Sequence, residues 1–302
     1  MRAFLVVPAL AAVLLSSCSE AQTNQPGNSA LNAPTDQTVP NQKKGKKGKK
    51  AKASDIANLT KVGKMSEVPE SSGLALTGEN GTFYTHGDDG NPPILYKINT
   101  QGEVLSRIEI PAKSHDWESI SRDPVGNVYI GDVGNNNNNR KNLVLLRLNP
   151  LNPQIVQEIH LKYPDQSEFP PSKKDRNFDC EATFWHDGQV YLFTKDRGRS
   201  ATSKVYTVPD QPGSYTAKLL TKLAIPGQVT DAALSPDGRR LVLLGREEMF
   251  VFEGENLAAM LKAQPRQISL KGAGQTEGAV FTTDQTLYIS TEQGSLYEYQ
   301  FE

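Results

Sequence analysis

The chain has 302 residues, a formal net charge of −1 and 37% hydrophobic residues, enough for one large domain or two ordinary ones and too little apolar sequence for a multispanning membrane protein. Glycine (24) and proline (19) are frequent and long helical apolar patterns are scarce, which predicts an all-β body of many short strands. Two cysteines are too few for a disulfide-stapled scaffold.

The chain opens with Arg2 and the apolar run Ala3 to Leu15, too short for a stable transmembrane helix, and the run ends in Leu15, Ser16, Ser17 and Cys18. This segment resembles a bacterial lipoprotein signal, and the resemblance implies cleavage before Cys18, diacylglycerol on its sulfur and a membrane-anchored mature chain. The alternative is an ordinary secretory signal with an incidental cysteine. Ser19, in place of the aspartate of inner-membrane retention, favours an outer-membrane address in the bacterial cell envelope. Residues 19–54 hold almost no large apolar side chains and read as a disordered tether. Lys43 to Lys52 holds seven lysines. The run is either a solvated spacer or a contact with anionic envelope polymer or lipid. No aromatic residues interleave it, which argues against nucleic acid. Arg2 and these lysines against Glu20 and Asp36 give the first 54 residues +6, leaving −7 for residues 55–302. The expected body is acidic and its leash basic.

Five segments of that body open alike, beginning at Glu70, Asp116, Asp179, Val229 and Gln275. Their starts lie 46, 63, 50 and 46 residues apart, the period of propeller blades. After each come a turn and β-branched or aromatic runs such as Val128 to Gly131 and Leu143 to Arg147. The fifth unit ends after three strands, and Ala57 to Met65 supplies a fourth. The expectation is a five-bladed β-propeller over residues 55–302, its last blade closed by the N-terminal strand, with no long open edge. Six blades are the alternative, because the second unit carries an extra loop from Lys162 to Arg176.

In a propeller the inner strands begin around one mouth of the central channel. Aligned by position, Ser72, Glu118, Glu181, Asp231 and Glu277 form a ring there, with Glu70, Asp116 and Asp179 two residues earlier. Such a ring raises its own pKa values or demands a cation. The expected metal set is Asp116, Glu118, Glu181, Asp231 and Glu277, with Ca²⁺ favoured outside the cytoplasm. The plainer reading has these carboxylates capping backbone amides or pairing with arginines. The ends of the second strands add His86, Asp88, Asp132, Arg140 and Arg197 as candidate ligand-binding residues. His86 is a general base or a structural histidine, and the arginines either bind an anionic group or neutralise the ring. Asn135 to Asn139 is a loop that tolerates left-handed turns or a source of amide ligands.

The motifs ESSGLAL, YTHGDDG, DWESI, YIGDVGNNNNNR, DCEAT, VTDAALSPDGRR and QTEGAVF together resemble a group of exported bacterial propeller proteins, over residues 66–295. More distantly they are similar to β-propeller phytases and calcium-dependent lactonases. The resemblance implies a propeller with an acidic mouth. It assigns no catalytic residue, because no phytase calcium-phosphate motif matches.

With Cys18 lipidated, Cys180 stands alone, which excludes an intrachain disulfide and a zinc–thiolate site. No nucleophile elbow, phosphate loop or dinucleotide fingerprint is present. Three functions remain: a module binding a cation, ligand or envelope partner, a Ca²⁺-dependent hydrolase of phosphoesters or lactones, and an envelope scaffold.

Overall fold

A computed structural model describes residues 56–302. The proposed signal, Cys18 and the lysine run lie outside the described residues.

The chain enters through β1 (Leu59–Lys64) and then builds blade 1 from β2 (Ala75–Leu76), β3 (Thr82–Thr85), β4 (Ile94–Asn99) and β5 (Val104–Glu109). Blade 2 contains β6 (Trp117–Arg122), β7 (Val128–Asp132), β8 (Leu143–Leu148) and β9 (Val156–Lys162). Blade 3 contains β10 (Asp179–His186), β11 (Gln189–Lys195), β12 (Thr202–Pro209) and, after the short β13 (Gly213–Thr216), β14 (Lys218–Ala224). Blade 4 comprises β15 (Val229–Leu234), β16 (Arg240–Gly245), β17 (Glu248–Glu253) and β18 (Arg266–Ser269). Blade 5 comprises β19 (Thr276–Phe281), β20 (Thr286–Thr291) and β21 (Ser295–Gln300). β1 pairs antiparallel with β21, Leu59 opposite Tyr299 and Lys64 opposite Ser295. It is the outermost strand of blade 5, so the ring is closed by the N-terminal strand as expected.

Why the ring holds is visible in its apolar clusters. There are five, and each lies between two neighbouring blades. Val242 and Leu244 of blade 4 pack with Leu287 and Ile289 of blade 5. Phe184 and Phe193 of blade 3 meet Leu241 and Phe250 of blade 4. Blades 2 and 3 share Leu145, Ile159, Leu192 and Tyr206, and blades 1 and 2 share Leu95, Ile120 and Ile130. Phe83 and Ile98 of blade 1 close onto Tyr288 and Leu296 of blade 5. A second strand is therefore sandwiched on both faces, and all five residues of β7 are buried. Outer strands keep one wet face, as the alternation along β9 shows. Ile289 has no exposed surface. Ile289→Val should cost about 0.5–1.5 kcal/mol in urea unfolding, and a neutral result would mean that the cluster joining blades 4 and 5 is loosely packed.

One strand pairing was not legible in the sequence. β13 leaves blade 3 and pairs in parallel with β9, Gly213 opposite Ile159, making blade 2 five-stranded. The extra loop after β9 adds no blade. Its Tyr163 packs on Phe178 and Tyr206, at 5.7 and 4.6 Å between ring centroids, which anchors it to blade 3.

Candidate functional site

The inner strands carry a β-bulge near their start, and the bulge sets which side chains face the mouth. In blade 2, Trp117 pairs with Asp132 and Ser119 with Gly131, so Glu118 is the unpaired residue. The same shift leaves out Glu181 between Cys180 and Ala182 and Glu277 between Thr276 and Gly278. In blade 1 the Ser71–Gly87 bridge precedes the Ala75–Tyr84 pair, which puts Ser72 at the equivalent place. Blade 4 differs from the expected alignment by one residue. Its bulge falls between Val229 and Asp231, so Thr230, not Asp231, occupies the ring position. Asp231 instead accepts hydrogen bonds from the amides of Ala232 (2.8 Å) and Ala279 (2.6 Å) and bridges blades 4 and 5. It does not join the other carboxylates.

The remaining acids divide into two groups with opposite electrostatics. On the blade 3 side they are neutralised. Glu181 receives Lys195 Nζ and Arg197 Nη2, both at 2.7 Å, and Arg197 Nε donates to Asp179. Arg197 also donates to Asn136 Oδ1. Burial, then Asp179, pushes the Glu181 carboxyl up, while Lys195 and Arg197 pull it down. On balance the carboxyl stands well above the usual glutamate range, with Lys195 and Arg197 as two cations in direct contact in a buried network.

On the side of blades 1 and 2, Asp88, Asp116 and Glu118 bring ligand oxygens within 4.8 Å of one another. Among the described residues, none of the three has a lysine or arginine partner. Ser72 Oγ donates to Glu118 Oε2 at 3.4 Å, and the Asp89 amide donates to Asp88 at 2.6 Å. Asp116 Oδ1 is buried without a hydrogen-bond partner. Such an orphan carboxylate oxygen is costly unless something positive reaches it. Burial, then Asp179, raises the Asp116 pKa to about 6, and Arg140 opposes. Glu118 is raised well above the ordinary glutamate range, first by burial and then by Glu181, Asp88 and Asp116. Asp88 is raised by burial as well.

The surrounding loop holds Asp116 in place. Arg140 Nη2 binds Asp132 Oδ1 at 2.7 Å, and Nη1 binds the Gly134 carbonyl at 2.6 Å. Asp132 accepts the Asp116 amide at 3.2 Å and His115 Nδ1 at 2.8 Å. Gly134 lies against the Asp116 carboxylate, and a Cβ there would come 2.3 Å from Asp116 Cγ. The asparagine run is a bracket between blades 2 and 3. Asn135 donates its amide to Asp179 and its side chain to the Phe178 carbonyl, and Asn138 Oδ1 accepts the Phe178 amide. Asn138 adopts φ 54°, the left-handed turn that asparagine tolerates.

The expected residues are therefore partly assembled. Asp88, Asp116 and Glu118 come together, Asp88 having been read only as a ligand contact. Glu181 belongs to the ion-paired half of the mouth. Glu277 is buried, with its pKa raised by burial and lowered by Lys195, and stands outside the three-carboxylate group. Asp132, Arg140 and Arg197 are committed to internal pairs. His86 is fully buried, edge-on to Trp117 at 5.6 Å, with Nδ1 on the Gly87 carbonyl and a pKa lowered by burial. It has no solvent face to offer a ligand. Asp179, expected in the second acidic set, lies in the ion-paired half of the mouth, and Gly134, which lies against Asp116, was not among the expected site residues. Cys180 is a buried free thiol.

No family model and no curated protein matches the sequence. Among solved structures, a gluconolactonase from Xanthomonas campestris is similar at TM-score 0.50 and 13% identity, over 81% of this chain and 89% of that one. A PQQ-bound aldose sugar dehydrogenase from Streptomyces coelicolor aligns at TM-score 0.49 and 11% identity, covering 82% and 98%. A protein of unknown function from Bacteroides thetaiotaomicron aligns at TM-score 0.49 and 8% identity, covering 81% and 76%. At these identities the likeness is one of fold: the chain is a five-bladed β-propeller.

Proposed function

We propose that this protein is an extracytoplasmic binding propeller that holds a divalent cation, Ca²⁺ by preference, at Asp88, Asp116 and Glu118. The observation that carries the reading is the asymmetry of the mouth. Asp179 and Glu181 have cationic partners, whereas Asp88, Asp116 and Glu118 crowd together with a buried, unpartnered Asp116 Oδ1. A hard cation takes carboxylate oxygens and relieves their mutual repulsion. Lys195 and Arg197 beside it would favour an anionic ligand, but their own pairs leave little free donor capacity. The lipoprotein-like segment ending at Cys18 supports anchoring in the cell envelope through lipid, and Lys43 to Lys52 supports contact with an anionic envelope polymer.

Thermal unfolding tests the metal claim. Ca²⁺ should raise the melting temperature of the wild type, because a ligand that binds only the folded state stabilises it by mass action. The shift should vanish in Asp116→Asn. A melting temperature indifferent to Ca²⁺ refutes the reading.

A second reading, a Ca²⁺-dependent hydrolase of lactones or phosphoesters, is favoured by one observation. Several carboxylates with raised pKa values share the mouth with Lys195 and Arg197, and perturbed titratable groups concentrate at reactive sites. Turnover of a lactone or phosphoester that Glu118→Gln abolishes would support it. Turnover unchanged in that variant would separate any activity from this mouth.

A further inference from the structure

The inner strands start at the acidic mouth and end at the opposite face, and that face holds a different cavity. It encloses about 340 Å³ and is lined by all five inner strands, with Leu76, Ile120, Phe184, Leu234, Val280 and Phe281 among its walls. Ala75, Ala232, Ala233 and Ala279 keep it open. Its size sits at the lower end of small-molecule sites, and its walls are largely apolar, as such sites require.

Five polar side chains border it, and three are already engaged, Thr183 by the Ser119 hydroxyl at 2.9 Å. Asp123 accepts the Asn127 amide, the Asn127 side chain and the Tyr129 hydroxyl. Trp185 Nε1 donates to Asp210 at 2.8 Å. The other two are free. Ser121 is 6% exposed and its Oγ has no hydrogen-bond partner. Arg122 makes no side-chain hydrogen bond or ion pair among the described residues. Its guanidinium lies beside Gly78, where a Cβ would come within 2.7 Å of Nη2. An arginine without a carboxylate beside an apolar cavity matches a ligand with an apolar body and one anionic head.

We propose that this cavity binds a small apolar monocarboxylate, a medium-chain fatty acid or an acid of similar size, with Arg122 taking the carboxylate. The site is separate from the acidic mouth and needs no metal.

Trp185 lines the cavity, while Trp117, the other of the two tryptophans, is 1% exposed and packs between blades 1 and 2. Titration with octanoate, followed by tryptophan fluorescence and by calorimetry in EDTA, reads the site directly. Octanoate should bind saturably, and octanol, with the same tail and no charge, should bind about tenfold more weakly. Arg122→Gln should lose about tenfold in octanoate affinity, and Arg122→Lys less, since it keeps the charge but not the fork. Circular dichroism of both variants should match the wild type, because Arg122 holds no other contact in place. In Trp185→Phe the calorimetric heat should remain while the fluorescence change disappears. No saturable response to octanoate up to about 10 mM overturns the proposal. So does octanol binding equally well, octanoate affinity unchanged in Arg122→Gln, or a fluorescence change that survives Trp185→Phe.

Discussion

Glu181→Gln should destabilise the propeller by about 3–5 kcal/mol, the cost of breaking a buried ion pair from one side. Lys195 and Glu181 are 3% and 2% exposed, so water cannot take over the lost contact. The amide would leave the Lys195 ammonium without its 2.7 Å partner. Arg197 would suffer less, because it still holds Asp179. Replacing both members of the Lys195–Glu181 pair with apolar residues of similar size, as in Glu181→Leu with Lys195→Met, should recover much of the loss, since neither charge then needs solvating. Urea unfolding of the three proteins separates these cases. A single variant within about 1 kcal/mol of the wild type would mean that Glu181 contributes as a neutral acid.

Asp116→Asn should do the opposite in metal-free buffer, and stabilise the protein at pH 8 by about 1–3 kcal/mol. The sign follows from the direction of the shift. The Asp116 pKa is about 6 in the folded protein against an unfolded value of 3.8, so the folded state binds the proton more tightly. Ionisation above pH 6 therefore costs stability, and the penalty fades as pH falls from 6 towards 4. Asparagine is neutral throughout, so its advantage should shrink by pH 5. With Ca²⁺ the order should reverse, because the cation needs the ionised carboxylate and competes with the proton. Unfolding midpoints in EDTA and in Ca²⁺, at pH 8 and pH 5, give the four required values. An asparagine variant less stable than the wild type in EDTA at pH 8 would show that Asp116 already has a stabilising partner.

These two variants define the design of the mouth. One half is a completed ion-pair network that fixes blade 3 geometry. The other half keeps three carboxylates in mutual repulsion, a configuration that costs stability unless a ligand compensates it.

Blade number and closure were legible because each blade must bury both faces of its middle strand, which writes a repeated apolar run into the sequence. Val128 to Gly131 and Leu241 to Leu244 are such runs, and both are buried. The position of Thr230 was not legible. Val229-Thr-Asp offers a polar residue at either of two places, and only the bulge register decides between them. Charge pairing was legible only as one of two alternatives for the arginines. Arg140 and Arg197 have the composition of anion binders, yet Asp132 holds Arg140, and Asp179 and Glu181 hold Arg197. Asp88 was recognised as part of the rim but not as a neighbour of Asp116, because the approach of blade 1 to blade 2 depends on three-dimensional packing. The β13 pairing with β9 had no periodic signal, being four residues rich in small and polar side chains.

Isothermal calorimetry of Ca²⁺ with the wild type and with the Asp116→Asn/Glu118→Gln double variant tests the central claim most directly. The account predicts one saturable site in the wild type at pH 7.5, weakened as pH falls through 6, and no binding in the double variant. Absence of binding by the wild type, or equal binding by the double variant, would contradict it.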